Sequence, residues 1–250
     1  MKRALPLLSF LLLIAAFPTP AQKTEKLPTT QQVVSNFVKA VGGEEAWHKL
    51  HSRVRKGTIE FTDMGLKGTV ELDEEAPDKI LLTASVAVLG DFRRGYDGVT
   101  GWSENPQTGV VKTSGAELAD TRREAEFYMP LRLTEVYSHM EVTGPQTVEG
   151  HDTWEVKASA LDGAERTFDF DQKTGYLLRI TGDEISPDGK QKDHIELFLE
   201  DYKAFDGIML PTIHRQTSPV PLVIDFTDVK HNVPLADSIF SPPSSQPTGQ

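Results

Sequence analysis

Seven histidines, several adjacent acidic pairs and two double arginines are the residues of this chain whose types suit acid–base, metal or anion chemistry. His48 and His51 stand three apart at the end of an expected helix. Two ligands do not make a metal site, and a helix C-terminus accounts for them more simply. His139, His151, His194, His214 and His231 mark no cluster. Glu44-Glu45 and Glu74-Glu75 are neighbours whose side chains diverge in a helix or a strand, so neither pair suits concerted acid–base work. Asp169-Phe170-Asp171 followed by Gly175 has part of a calcium-loop spacing. Lys173 occupies a ligand position, however, and no glutamate closes the loop, so a turn opened by Asp171 is the better reading. Gly-x-Ser-x-Gly, His-Glu-x-x-His and phosphate-binding glycine loops are all missing from the sequence. With no cysteine there is no thiolate nucleophile, thiolate zinc site or iron–sulfur cluster. The chain reads as non-enzymatic, with no cofactor and no metal.

What remains is recognition. Phe92, Trp102, Trp154, Phe168 and Phe170 fall where inward strand positions are expected, and Leu82, Leu178 and Leu131 join them as apolar candidates for contact with a ligand. The alternative is a closed core packed on the helices. Arg93-Arg94 offers a cation for a carboxylate or phosphate headgroup, with Arg94 as the candidate. The alternative there is an edge charge or a surface ion pair.

The elements that must position these residues follow from periodicity. Val33, Val34, Phe37, Val38 and Val41 recur at helical spacing behind Thr30, a suitable cap, and Gly42-Gly43 ends the helix. A shorter helix is expected over 44–50. From Arg53 the period becomes two: Leu66, Gly68, Val70 and Leu72; Ile80, Leu82, Ala84 and Val86; Trp154, Val156 and Ala158; Phe168 and Phe170; Ile195, Leu197 and Leu199; Leu222, Ile224 and Phe226. About eleven strands are expected. Short turns such as Asp63-Met64-Gly65, Asp97-Gly98 and Asp188-Gly189 favour an antiparallel meander. One helical interruption spans 116–137, with a break expected at Pro130. The fold class is mainly β: a curved antiparallel sheet whose apolar face the two helical segments cover only in part, leaving a cavity.

Residues 1–21 have the layout of a secretory signal peptide: Met1-Lys2-Arg3, an apolar run from Ala4 to Phe17, and small residues before a cut after Ala21. Gln22 follows in place of the cysteine that a lipid anchor needs. Residues 22–29 read as a flexible lead and 243–250 as a disordered tail. The formal charge is −11, and loss of Lys2 and Arg3 makes it more negative still. That argues against nucleic acid as a partner and against loose adsorption to anionic membranes. No later stretch is apolar enough for permanent membrane insertion.

Four turn sequences then become specific. Tyr96-Asp97-Gly98-Val99-Thr100-Gly101-Trp102, Phe170-Asp171-Gln172-Lys173-Thr174-Gly175-Tyr176, Asp206-Gly207-Ile208-Met209-Leu210-Pro211 and Asn232-Val233-Pro234-Leu235-Ala236-Asp237-Ser238-Ile239-Phe240 occur in that order. Together they resemble the LolA-like family of periplasmic outer-membrane lipoprotein-sorting proteins, which includes LolB- and RseB-type members. The resemblance covers most of a single domain over 30–242. It implies a half-open β-barrel with a helical lid or plug, and a periplasmic monomer that carries lipid or lipoprotein acyl chains. It equally allows an envelope-stress sensor or interaction module that contacts an envelope protein partner.

Overall fold

The computed structural model describes residues 26–185 and 192–243. The expected signal peptide, half of the expected lead, most of the expected tail and the Asp188-Gly189 turn lie outside these residues. Thirteen strands form one antiparallel sheet: β1 Ser52–Phe61, β2 Leu66–Glu75, β3 Lys79–Val86, β4 Gly90–Tyr96, β5 Gly101–Asn105, β6 Gly109–Lys112, β7 His139–Val148, β8 His151–Ser159, β9 Glu165–Asp171, β10 Leu177–Ile185, β11 Lys192–Phe205, β12 Ile208–Ser218 and β13 Leu222–His231. This exceeds the expected eleven. The four-residue β6 and the mostly exposed β7, which contains Gly144 and Pro145, are the two edge strands and show little alternation.

The topology explains the cavity. The chain starts at the middle of the sheet with β1, runs hairpin by hairpin out to the β6 edge, and crosses to the opposite edge at β7. It then returns by hairpins until β13 pairs with β1. The crossover consists of α3 Gly115–Glu124 and α4 Met129–Val136. A segment that joins the two edges of a curved sheet must pass over its concave face. The sheet stays open because, among the described residues, β6 and β7 pair on one side only.

The N-terminal helices α1 Thr30–Ala40 and α2 Glu44–Trp47 cover the rest of that face. The cap of α1 is Thr29 rather than Thr30. Its hydroxyl accepts from the Gln32 amide at 3.2 Å while the Gln32 side chain accepts from the Thr29 amide at 2.8 Å. This reciprocal pair satisfies two otherwise orphaned donors. Val33, Val34 and Phe37 are the buried stripe of α1. Gly42 ends the segment with φ 112°. A side chain there would meet the Gly207 carbonyl at 2.5 Å, so only glycine lets α1 dock against the start of β12. Pro130 does not break a helix but begins one, since the first turn of α4 has no use for its missing N–H. The break lies before it, at 125–128.

Candidate functional site

The concave face carries an apolar cavity of about 320 Å³. Its roof is Phe37 and Val41 of the α1 segment, Trp47 of α2, and Met129, Pro130 and Leu133 of α4. Its floor is Phe168, Leu177, Ile180, Leu197, Leu199 and Leu210 from β9 to β12. Strand alternation and register put these floor residues on one face: Phe168 pairs with Ile180, and Ile180 with Leu197. Asp201 has φ 53°, and beyond this local turn Tyr202 rather than Asp201 lines the cavity. The Tyr202 hydroxyl donates to the Leu177 carbonyl at 2.8 Å, and burial pushes its ionisation well above the ordinary tyrosine range.

Charge is confined to the rim. Arg166 Nη2 meets Asp120 of α3 at 3.0 Å and Glu184 of β10 at 3.2 Å. Arg123 pairs with Asp120 and with Asp162. These contacts hold α3 over the mouth, and the side chains of Arg166, Arg123 and Asp120 are largely buried, so removing one partner leaves a charge unpaired.

A second cavity of about 250 Å³ lies farther along the same face, lined by Arg55, Leu72, Glu74, Ile80, Leu82, Arg94, Glu124 and His214. Glu124 lines both cavities. Glu74 takes both Nε and Nη2 of Arg53 at 2.6 Å and Nε of Arg55 at 3.1 Å. Burial pushes the Glu74 carboxyl up, but the two guanidiniums more than offset it and hold the group at about 2. Burial lowers Arg55 to about 10, still a cation at neutral pH. Burial, helped by Arg55, depresses His214 to about 3, so this imidazole is neutral.

The expected site residues part ways here. Phe168 lines the main cavity. Phe170 is fully buried against Phe37, ring centroids 5.3 Å apart, and with Trp154 borders a shallower pocket beside α1. Leu131 packs half-buried on the core from α4. Leu82 lines the second cavity and Phe92 packs beside it in a smaller apolar cluster. Leu178 sits at a register shift of β10 and lines a separate depression with Tyr176 and Phe198. Trp102 is on the wrong face for a cavity residue. It pairs with Gly95, which pairs with Leu81, whereas Leu82 and Arg94 pair with each other on the cavity side. Arg94 lines the second cavity but is engaged, with Nη1 3.0 Å from Glu124 and Nη2 donating to the Thr121 hydroxyl at 3.1 Å. Arg93 points the other way, over Trp102 and toward Glu104. The Leu197 and Leu199 floor was visible as alternation, while nothing in the sequence singled out the Arg53–Arg55–Glu74 group.

No protein-family model matches the sequence, and no curated protein matches it. Solved structures do. A LolA superfamily protein from Nitrosomonas europaea aligns with a TM-score of 0.56 at 14% identity, covering 86% of this chain and 98% of that one. A domain named for outer membrane lipoprotein sorting, from Vibrio parahaemolyticus, aligns at 0.54 and 11% identity, covering 84% and 93%. This chain has a LolA-like fold. A DUF1329 family protein from Desulfovibrio piger aligns with this LolA-like chain at 0.57 and 14% identity, over 84% and 96%. At such identities the likeness concerns the fold, and function must be argued from the site. Among the described residues no helix is long and apolar enough to cross a membrane, and no three His, Asp or Glu side chains converge as a metal site.

Proposed function

We propose that the protein is a non-enzymatic carrier or binder of acyl chains from lipids or lipoproteins, working as a monomer in the periplasm. The observation that carries this reading is the main cavity: apolar walls from the sheet and crossover helices, with charge only at the rim. Its size of about 320 Å³ lies at the small end of ligand pockets, which run from about 300 to 1,000 Å³. One chain section therefore fills it as it stands, and a longer or second chain requires α3 and α4 to lift. Each methylene buried contributes about 0.8 kcal/mol. Phe168 is a wall residue in this reading, Arg123 and Arg166 are cations at the rim of this cavity, and Arg94 is a cation for a headgroup that reaches past Glu124 into the second one.

The test is titration of delipidated protein with a fluorescent fatty acid, followed by displacement with phospholipid and lipopeptide. Ile180, Leu197 and Ile195 are half-buried cavity residues, so their exchange tests the cavity without gutting the core. Leu197→Glu should weaken probe binding at least tenfold, since a charge in an apolar site costs several kcal/mol, while the β-type circular-dichroism spectrum persists. Unchanged binding by Leu197→Glu, or no binding by the unaltered protein, overturns the proposal. Co-purification of an envelope protein with an empty cavity would favour the interaction-module reading.

A further inference from the structure

The main cavity has two unlike ends. Arg166 stands at one, between Asp120 of α3 and Glu184 of β10, and Leu177 and Tyr202 stand at the other. Leu177 and Glu184 both lie on β10, separated by at most about 23 Å of strand. An amphiphile that keeps its polar head among the charges therefore points its methyl end at Tyr202.

That far end is built as a wall. The β10–β11 ladder runs from Ile185 opposite Lys192 to Arg179 opposite Phe198 and stops there, while β11 continues to Phe205. The Tyr202 side chain bridges the parted strands, its hydroxyl donating to the Leu177 carbonyl at 2.8 Å. Its ring stacks on Tyr176, with centroids 4.2 Å apart and planes 1° from parallel. Tyr176 is held in its turn, where its carbonyl accepts from the Asp171 amide at 2.8 Å. Gly175 of the same turn lies against α1, so close that a Cβ would come 3.1 Å from the Asn36 carbonyl. Moving the Tyr202 ring aside would break its hydrogen bond and unstack the pair.

Apolar space continues behind this wall. Leu199 and Tyr202 line both the main cavity and the depression that contains Leu178. The depression measures about 360 Å³ and also presents Val148, Phe198 and Tyr176. Tyr202 is half-buried, as a partition between a cavity and an open depression must be. A shorter side chain at this position would leave the two spaces continuous.

We propose that Tyr202 is the specificity-determining end wall of the main cavity: it limits the length of acyl chain that the protein can bury, and the stack on Tyr176 braces it. The inference rests on the acyl-chain reading above and assigns its length selectivity to one side chain. Excess length stays at the mouth, against α3 or in water, and Leu178 meets a chain only when Tyr202 is removed.

The test uses delipidated protein and displacement of a fluorescent fatty acid by saturated fatty acids from decanoic to tetracosanoic acid, each delivered from cyclodextrin. Affinity should rise about fourfold with each added methylene, the gain from taking that group out of water, and level off at one chain length. Tyr202→Ala should move this limit to a longer chain. The first acid past the original limit should then bind the variant about fourfold more tightly than the unaltered protein, while decanoic acid binds both alike. Tyr202→Leu, which keeps apolar packing at the site, should move the limit in the same direction and serves where the alanine variant does not fold. Tyr202→Phe, which retains the stacked ring, should leave the limit in place. An unmoved limit in Tyr202→Leu and Tyr202→Ala overturns the end wall and leaves acyl-chain binding standing, as does affinity that keeps rising through tetracosanoic acid in the unaltered protein. Displacement by no fatty acid overturns both.

Discussion

The indole N–H of Trp102 donates to the carbonyl of Phe240 at 2.7 Å, across 138 residues of sequence, and both side chains are fully buried. Leu81, Leu235 and Ile239 complete this cluster on the face opposite the cavities. The segment after β13 is tied down at its other end by Asn232, whose carbonyl oxygen accepts from the His51 amide at 2.9 Å and whose amide donates to the Lys49 carbonyl at 3.1 Å. The closing motif is thus a strap on the convex face. It follows that Phe240→Ala should lower unfolding free energy by about 3–5 kcal/mol and shift Trp102 emission to the red. Ligand affinity of the folded fraction should not change. Urea titration followed by fluorescence checks this, and an unaltered midpoint would mean that the strap contributes nothing.

Glu74 is the keystone of the buried charges beneath the sheet's midline. Arg53 lies over the rings of Trp47 and Phe127, and Arg55 over Phe226, so neither can swing to water. Glu74→Gln should therefore cost about 3–5 kcal/mol, because it strands two buried cations. Replacing all three together, as Arg53→Met, Arg55→Leu and Glu74→Leu, should recover most of that loss. Thermal melts of the two variants separate the penalty of an unpaired charge from the worth of the network.

The pH dependence has opposing parts. His214 is depressed from 6.5 to about 3, so the unfolded chain binds a proton first and stability is lost as pH falls from 6.5 toward 3. Glu74, held at about 2, adds a loss as pH falls below 4.5. Asp73 is raised to about 6 by burial and by Glu71, and its contribution is instead lost as pH rises from 3.8 to 6. Each proton changes stability by up to about 1.4 kcal/mol per pH unit. His214→Leu should thus flatten the decline between pH 6.5 and 4.5, and Asp73→Asn should stabilise the protein at pH 7 but hardly at pH 4. Denaturation midpoints measured across pH 4 to 8 decide both.

Much of this architecture can be read in the sequence, for identifiable reasons. Alternation marked the strands, and the turn motifs are held by their own side chains: Asp97 accepts from the amides of Val99 and Thr100, and Asp171 from those of Lys173 and Thr174. Those motifs specify bends, so they identify a fold and say little about a ligand. The site was less legible because alternation fixes parity within a strand but not between strands. Trp102 illustrates this, since only its pairing with Gly95 reveals which face it takes. In the sequence Glu74 stands out only as half of the Glu74-Glu75 pair, and register is what places it opposite Arg53. The helical interruption, by contrast, was visible as a break in period, and its place over the concave face follows once its two flanking strands are known to be the edges.

That crossover is the part of the molecule best suited to gate the main cavity. Met129, Pro130 and Leu133 are its apolar contribution to the wall, Phe127 and Leu133 pack in the core, and Asp120, Arg123 and Glu124 tie α3 down through ion pairs. α3 buries only Thr121 and so opens at lower free energy than the paired strands; amide exchange over 115–124 should be faster than in β1 to β3 and should slow when lipid binds. Ala119 of α3 and Ala164 before β9 line one cleft beside the mouth. Cysteines placed at both positions are the only thiols in the protein, because the sequence has none of its own. Joining them with a short bismaleimide should slow fatty-acid uptake at least tenfold, whereas the same double variant left unlinked should load normally. Full-rate loading of the completely linked protein would show that the ligand enters past another rim.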